Sequence, residues 1–268
     1  MTTQNRITVM NRRFVALIIA AHCALFSSST IAFDKTHAKW AEVLTKYRSA
    51  DSRIRYGQLK ADLKLKADHP LLIYLQELGS VSRQEYDAWE KKERMAFLIN
   101  AYNAFTVKLI ADHYPVKSIK KVGGLFTNPW KLNFFSLLEG EIKNLDTIEH
   151  EYLRKQFQEP LIHAAINCAS VSCPKLQEKP YLAANLTGQL ESALKEFLSD
   201  PSRNRYEPAS GKLFLSEIFK WFGDDFKSRF PSYLKAIEIY GPPAAKKTLV
   251  HGEMVEWIEY DWTLNDGL

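Results

Sequence analysis

Cysteine is scarce in this chain: three in 268 residues, at positions 23, 168 and 173. No C-x-x-C pair occurs, which removes the usual short spacing of thiol–disulfide exchange proteins. The H-E-x-x-H pattern of a zinc clamp is also absent. The glycine pair in "VGGLF" is too little to cradle a phosphate, and this argues against a nucleotide cofactor; no cofactor is expected. There is no internal repeat, no low-complexity tract and no Pro/Gly/Ser-rich linker. No apolar run reaches the roughly 20 residues that span a bilayer comfortably.

The nearest to such a run is "FVALIIAAHCALF", preceded by Arg12 and Arg13 and followed by the small and polar residues of "SSSTIAF". Thr30 and Ala32 sit at the small-residue positions of a secretory cleavage site, so residues 1–32 read as a signal peptide and 33–268 as one domain. An uncleaved membrane anchor is the alternative, and membrane contact is expected only through this leader. The formal charge of +5 owes Arg6, Arg12 and Arg13 to the leader and falls to +2 without them, since no acidic residue leaves. A basic surface for nucleic acid is therefore not expected. Cys23 leaves too. The expected location is the periplasm, and an exported chain with only Cys168 and Cys173 has a candidate disulfide.

Periodicity gives a helix-rich chain. "THAKWAEVLTKYR" places Trp40, Val43, Leu44 and Tyr47 on one stripe. "IRYGQLK" reads as extended. Asp68 caps a helix over "HPLLIYLQELGSV", and a Ser82/Glu85 capping box opens the longest helix, to about His113, where Pro115 stops it. "SIKKV", "WKLNFFSLL" and the apolar "LIHAAINCA" read as strands. "LDTIEHEYLRKQF" is an amphipathic helix capped by Asp146, and "YLAANLTGQLESALKEFLSD" is another helix. "RYEPASGKLFLS" is a hairpin turning at Ser210-Gly211. Short helices follow, and "MVEWIEYDWTLN" ends the chain as a strand. Many helices around a small mixed or antiparallel sheet make the expected class α+β.

"AFLINAYNAFTVKLI", "LDTIEHEYLRKQF", "HAAINCASVSCPKL", "LSEIFKWFGDDF" and "YDWTLN", in this order, resemble the bacterial, exported branch of the domain-of-unknown-function 547 family, from about Tyr56 to Asn265. The resemblance implies an exported or membrane-associated protein and carries no established activity. Candidate chemistry has to come from the residues.

Asn100 and Asn103, at i and i+3, share one helix face that looks buried. A buried unpaired amide costs about 1–3 kcal/mol, so both need fixed partners. Either they tie loop backbone to the helix or they orient a substrate or a histidine. On a strand, His163, Ala165 and Asn167 share a face while Cys168 points away, so Cys168 is no local partner for His163. Cys168 and Cys173 are close enough in sequence for a tight disulfide. Alternatively Cys173, before Pro174, stands at a helix N-terminus as an activated thiolate. In "TIEHEYLR", Glu149 and His150 are adjacent but diverge around the helix, and form a metal site only if joined by His163 from elsewhere. Arg154 is suited to a carboxylate or to loop carbonyls. Asp261 either orients His163 or caps a turn.

A polar helix, a histidine strand and a late acidic residue suggest a fold-level analogy with transglutaminase-like and papain-like domains, but asparagine stands where those carry the nucleophile. The leading expectation is a binding or assembly module of the cell envelope. Its pocket is built from Asn100, Asn103, His163, Asn167, Arg154 and Asp261 beside a Cys168–Cys173 disulfide, and its partner is an envelope protein or a small ligand. The alternatives are a thiol hydrolase or acyl transferase using Cys173 with His163 or His150, with Glu149 as a further candidate, and a metal-dependent hydrolase.

Overall fold

The core is organised around α5 (Lys91–His113), a helix apolar nearly all round, with Phe97, Leu98, Ile99, Ala101, Ala104, Leu109 and Ile110 at 5 % exposure or less. The computed structural model describes residues 32–124, 127–251 and 254–267, and Phe33–Leu268 form one compact unit. The leader falls almost wholly outside the described residues. Among them, no helix is long and apolar enough to cross a membrane.

Helices α1 (Ala38–Tyr47), α2 (Tyr56–Leu65) and α3 (Pro70–Ser80) precede the short α4 (Arg83–Ala88). The stripe expected on α1 is buried as read. Three boundaries differ from the sequence expectation. "IRYGQLK" is mostly helical, as part of α2. His69, not Asp68, caps α3, its Nδ1 accepting from Leu71 N at 3.1 Å. The long helix expected from Ser82 is two: Ser82 caps α4, and a fresh capping box of Glu90 and Glu93 opens α5. Glu85 does not close the expected box because its carboxylate accepts from Phe33 N at 3.3 Å.

The chain then continues through α6 (Leu186–Ser199), β1 (Arg205–Glu207), β2 (Lys212–Ser216), α7 (Glu217–Phe222), α8 (Tyr233–Tyr240), α9 (Pro243–His251) and β3 (Met254–Ile258). Strand β1 pairs antiparallel with β2 across a turn in which Gly211 has φ 68°, and β3 joins β2 in parallel. The result is an α+β fold with one small mixed sheet among the described residues, β1-β2-β3.

Three expected strands are not strands. "SIKKV" and "WKLNFFSLL" contain 3₁₀ turns at Ile119–Lys121 and Pro129–Lys131. Their apolar residues satisfy themselves by packing: Phe135 stacks on Phe105 of α5 at 3.9 Å, with no ladder needed. "LIHAAINCA" begins as a 3₁₀ turn, Pro160–Ala164, with Pro160 at its first position and Glu159 capping Leu161 N at 3.1 Å. The terminal strand ends at Ile258, and only isolated bridges, Ser170 to Leu264 and Ile54 to Asp266, continue beyond it.

A buried histidine makes this packing sensitive to acid. His37, at the start of α1, is 2 % exposed, with Nδ1 2.7 Å from the Tyr74 hydroxyl. Burial, opposed by the charge of Asp34, lowers its pKa to about 4. The unfolded chain then binds the proton more readily, so the stabilisation present above the ordinary value near 6.5 is lost as pH falls towards 4. Denaturant unfolding should show a loss of roughly 2 kcal/mol from this group between pH 7 and pH 5. The non-titrating His37→Gln variant should lose correspondingly less over the same interval.

Candidate functional site

Helix α5 positions the site without entering it. Asn103 Nδ2 donates to Ala165 O at 3.0 Å, and its Oδ1 accepts from Asn167 N at 2.8 Å. Asn100 makes the same two-way contact with Tyr181, donating to its carbonyl at 2.8 Å and accepting from its N–H at 3.0 Å. Asn167 donates to Pro174 O at 2.8 Å and accepts from Ala169 N and Asn265 Nδ2. These three amides satisfy backbone groups of Ala165, Asn167, Ala169, Pro174 and Tyr181, while residues 169–172 bond backbone of 261–265. None of the three amides lines the cavity described below. The expectation of an amide-lined pocket is therefore corrected: buried amides are consumed by backbone that has no other partner.

Segment 160–164 carries His163, which is 4 % exposed and stacks on Phe222 at 4.2 Å. Its Nε2 is 2.7 Å from Asp225 Oδ2, which requires the proton on Nε2. Asp225, in the 3₁₀ turn Gly223–Ser228, also accepts two bonds from Arg154, from Nε at 2.6 Å and from Nη2 at 2.9 Å. Burial alone would raise the Asp225 carboxyl. The hydrogen bonds and charges of His163 and Arg154 outweigh it and hold the group well below the usual carboxylate range. Arg154 Nη1 donates to His150 Nδ1 at 2.8 Å, leaving the ring proton of His150 on Nε2, which lies 3.7 Å from Asp146. Asp225 thus takes the role considered for Asp261, whose carboxylate instead accepts from Thr263 N at 2.8 Å in a turn.

The helix expected over "LDTIEHEYLRKQF" is π-helical, Thr147–Phe157, with its hydrogen bonds to the fifth residue. The wider winding brings the adjacent Glu149 and His150 to one cavity. Glu149 is 8 % exposed and accepts from the Tyr102 hydroxyl at 3.1 Å. Burial, then the Glu149 charge and hydrogen bond, push the Tyr102 hydroxyl well above the ordinary phenol value, so it remains a donor.

The cavity has a volume of about 210 Å³. His163, His150, Glu149 and Asp146 lie along it, and six aromatic side chains, Tyr102, Trp130, Trp221, Phe222, Tyr260 and Trp262, make up much of the rest of its wall, with Asn128, Ile166, Pro174 and Ile218 between them. Tyr260 and Trp262 pack at 4.5 Å, Trp221 and Tyr260 at 4.9 Å, and Trp130 and Trp262 at 5.7 Å. Trp221 is 41 % exposed and forms an open rim.

Both sulfurs also line the cavity. They lie at disulfide distance, with Cα atoms 6.3 Å apart. Ser170 Oγ donates to the Tyr260 hydroxyl at 3.1 Å, and that hydroxyl donates to Cys173 Sγ at 3.2 Å. Cys173 is not at a helix N-terminus: the chain after Pro174 is non-helical until Ala183. The helix-dipole activation considered for it therefore does not operate. Among the described residues, neither sulfur hydrogen-bonds a histidine, and no group of three or more His, Cys, Asp or Glu is arranged to hold a metal ion.

A family model described as a protein of unknown function, DUF547, matches residues 86–198. The matched segment is a DUF547 domain. The DUF547 match includes the amide helix, Glu149, His150, Arg154, His163 and the two cysteines. It ends before Asp225 and before the aromatic wall of Trp221, Tyr260 and Trp262, so it is narrower than the resemblance drawn above from Tyr56 to Asn265. No curated protein and no solved structure matches the chain, and the transglutaminase- and papain-like analogy gains no support. Sequence reading missed Asp225 and the aromatic wall, although both lie in segments already singled out, "FKWFGDDF" and "YDWTLN".

Proposed function

We propose that this DUF547 protein is a binding module that holds a small organic ligand in the aromatic-walled cavity, and that it works outside the cytoplasm. One observation carries the first part: six aromatic rings, two anchored histidines and a buried carboxylate converge on one concave space. Apolar walls with a few fixed polar groups are how small-molecule sites are built. The partner is then the ligand itself, with an envelope protein as the other candidate. Export is supported by the basic-apolar leader ending in small residues, and by the pairing of the two cysteines that remain after it.

Three of the chain's six tryptophans line the cavity, so occupancy has an optical readout. A panel of neutral, cationic and anionic small organics should include members that shift the tryptophan emission saturably. Trp262→Leu should weaken them about tenfold or more, on the scale of losing an aromatic contact. A panel that leaves the emission unchanged throughout counts against the reading.

A second reading has a specific observation in its favour. Asp225 holds His163 as an orienting acid holds a general base, and Cys173 opens onto the same cavity. If the protein is a thiol acyltransferase, Cys173 of the reduced form should take the acyl group of an activated ester as a thioester, releasing the ester's alcohol, and His163→Ala should abolish this acylation. Equal, slow alkylation of both thiols in the reduced wild type and in His163→Ala favours binding.

A further inference from the structure

The charge balance of the cavity is lopsided. Its lining contains the carboxylates of Asp146 and Glu149 and no lysine or arginine. Arg154 is close enough to feel Glu149, yet its three nitrogens are spent on Asp225 and His150. Glu149 is nine-tenths buried, and among the described residues its carboxylate receives one hydrogen bond, from the Tyr102 hydroxyl. Buried carboxylates are ordinarily paired. Here the space beside the carboxylate is walled by π faces instead.

We propose that the cavity takes an organic cation, an ammonium bearing small apolar substituents, seated against Trp221, Tyr260 and Trp262 with Glu149 as its counter-charge. The proposal rests on the reading of this cavity as a ligand site and names the chemistry of the ligand. Aromatic faces attract an alkylated ammonium through the ring quadrupole, most strongly for tryptophan and most effectively where water is excluded. An anion would meet two carboxylates and no cation. A neutral apolar molecule would leave Glu149 with only the more distant charge of Arg154, whose hydrogen bonds go to Asp225 and His150. The chain already uses this attraction next door: Lys120 Nζ lies 3.7 Å from the Trp262 ring centroid. Lys120 lines the adjoining surface groove, not the cavity, and its charge opposes a second cation on that ring. The ligand head is therefore placed towards Glu149, away from Lys120.

Three probes of matched shape separate the possibilities by calorimetry and tryptophan emission on the full chain: choline, its carbon isostere 3,3-dimethylbutan-1-ol, and 3,3-dimethylbutanoate. Choline should bind at least tenfold tighter than the isostere, and the carboxylate should not bind. Glu149→Gln keeps an oxygen for Tyr102, and should weaken choline on the order of tenfold while leaving the isostere unchanged. If the isostere binds as tightly as choline, the cation inference falls and the ligand site stands. If the carboxylate alone binds, the inference also falls. If none of the three perturbs the tryptophans, the inference falls, and the small-ligand reading then depends on the wider panel. The comparison of probes on the unmodified protein decides the matter even if Glu149→Gln does not fold.

Discussion

Asn103→Ala lowers the unfolding free energy by roughly 2–5 kcal/mol. The asparagine is 2 % exposed and satisfies two backbone groups of a segment that has no strand partner, Ala165 O and Asn167 N. Removing it leaves both groups buried, and an unsatisfied buried group costs about 1–3 kcal/mol. The cavity left by the shorter side chain adds to this. Asn103→Asp is a sharper control: it keeps the shape and the acceptor but loses the donor to Ala165 O. Urea unfolding checks both variants, and an unchanged midpoint would contradict the placement of the amide. The same change should loosen the loop that carries Cys168 and Cys173, since Asn167 begins it.

Asp225→Ala costs about 2–4 kcal/mol and should weaken ligand binding as well. The carboxylate joins His163, which is almost wholly buried, to Arg154, so its removal leaves one inward-facing ring and one guanidinium without their partner. Breaking a fully buried pair costs about 3–5 kcal/mol, and the side chain's partial exposure of 24 % reduces that here. The pH dependence has a definite sign. A carboxyl held below its ordinary value stabilises the fold above the unfolded value near 4, and that contribution is lost as pH falls further. The stability gap between wild type and Asp225→Asn should therefore be flat from pH 7 to pH 5 and narrow below about pH 4.

What could be read from the sequence followed how local each determinant is. The stripe on α1 and the Ser210-Gly211 hairpin depend on neighbours a few residues away and stand as read, and the helix read over "YLAANLTGQLESALKEFLSD" is present from Leu186 to Ser199, after a 3₁₀ turn at Ala183–Asn185. "LIHAAINCA" had the apolar density of a buried strand. Its backbone is satisfied by an amide 62 residues earlier in the chain, a partner no local pattern reveals. The cleanest capping box lay at Ser82, but Glu85 was claimed by Phe33, and an unremarked box at Glu90 began the central helix instead. Of the two partners the sequence offers Arg154, a carboxylate or loop carbonyls, the fold supplies a carboxylate, and the same one meets His163. Asp261 is the acid the sequence offers His163, because it follows an apparent strand. That strand stops at Ile258, and Asp225 meets both groups from a turn. The aromatic wall went unseen because its tryptophans are spread from Trp130 to Trp262 and converge only in the fold.

The central claim is that the space between His163, His150 and the aromatic wall is where a small molecule binds. Nitrogen-15 labelling of the tryptophan indoles tests it most directly, because Trp40 and Trp89 pack on Tyr74 and Phe97 and do not line the cavity. On titration with any ligand that binds the protein, the indole signals of Trp130, Trp221 and Trp262 should shift together, with those of Trp40 and Trp89 unmoved. Saturable binding that leaves the three pocket indoles in place while another site responds would contradict it.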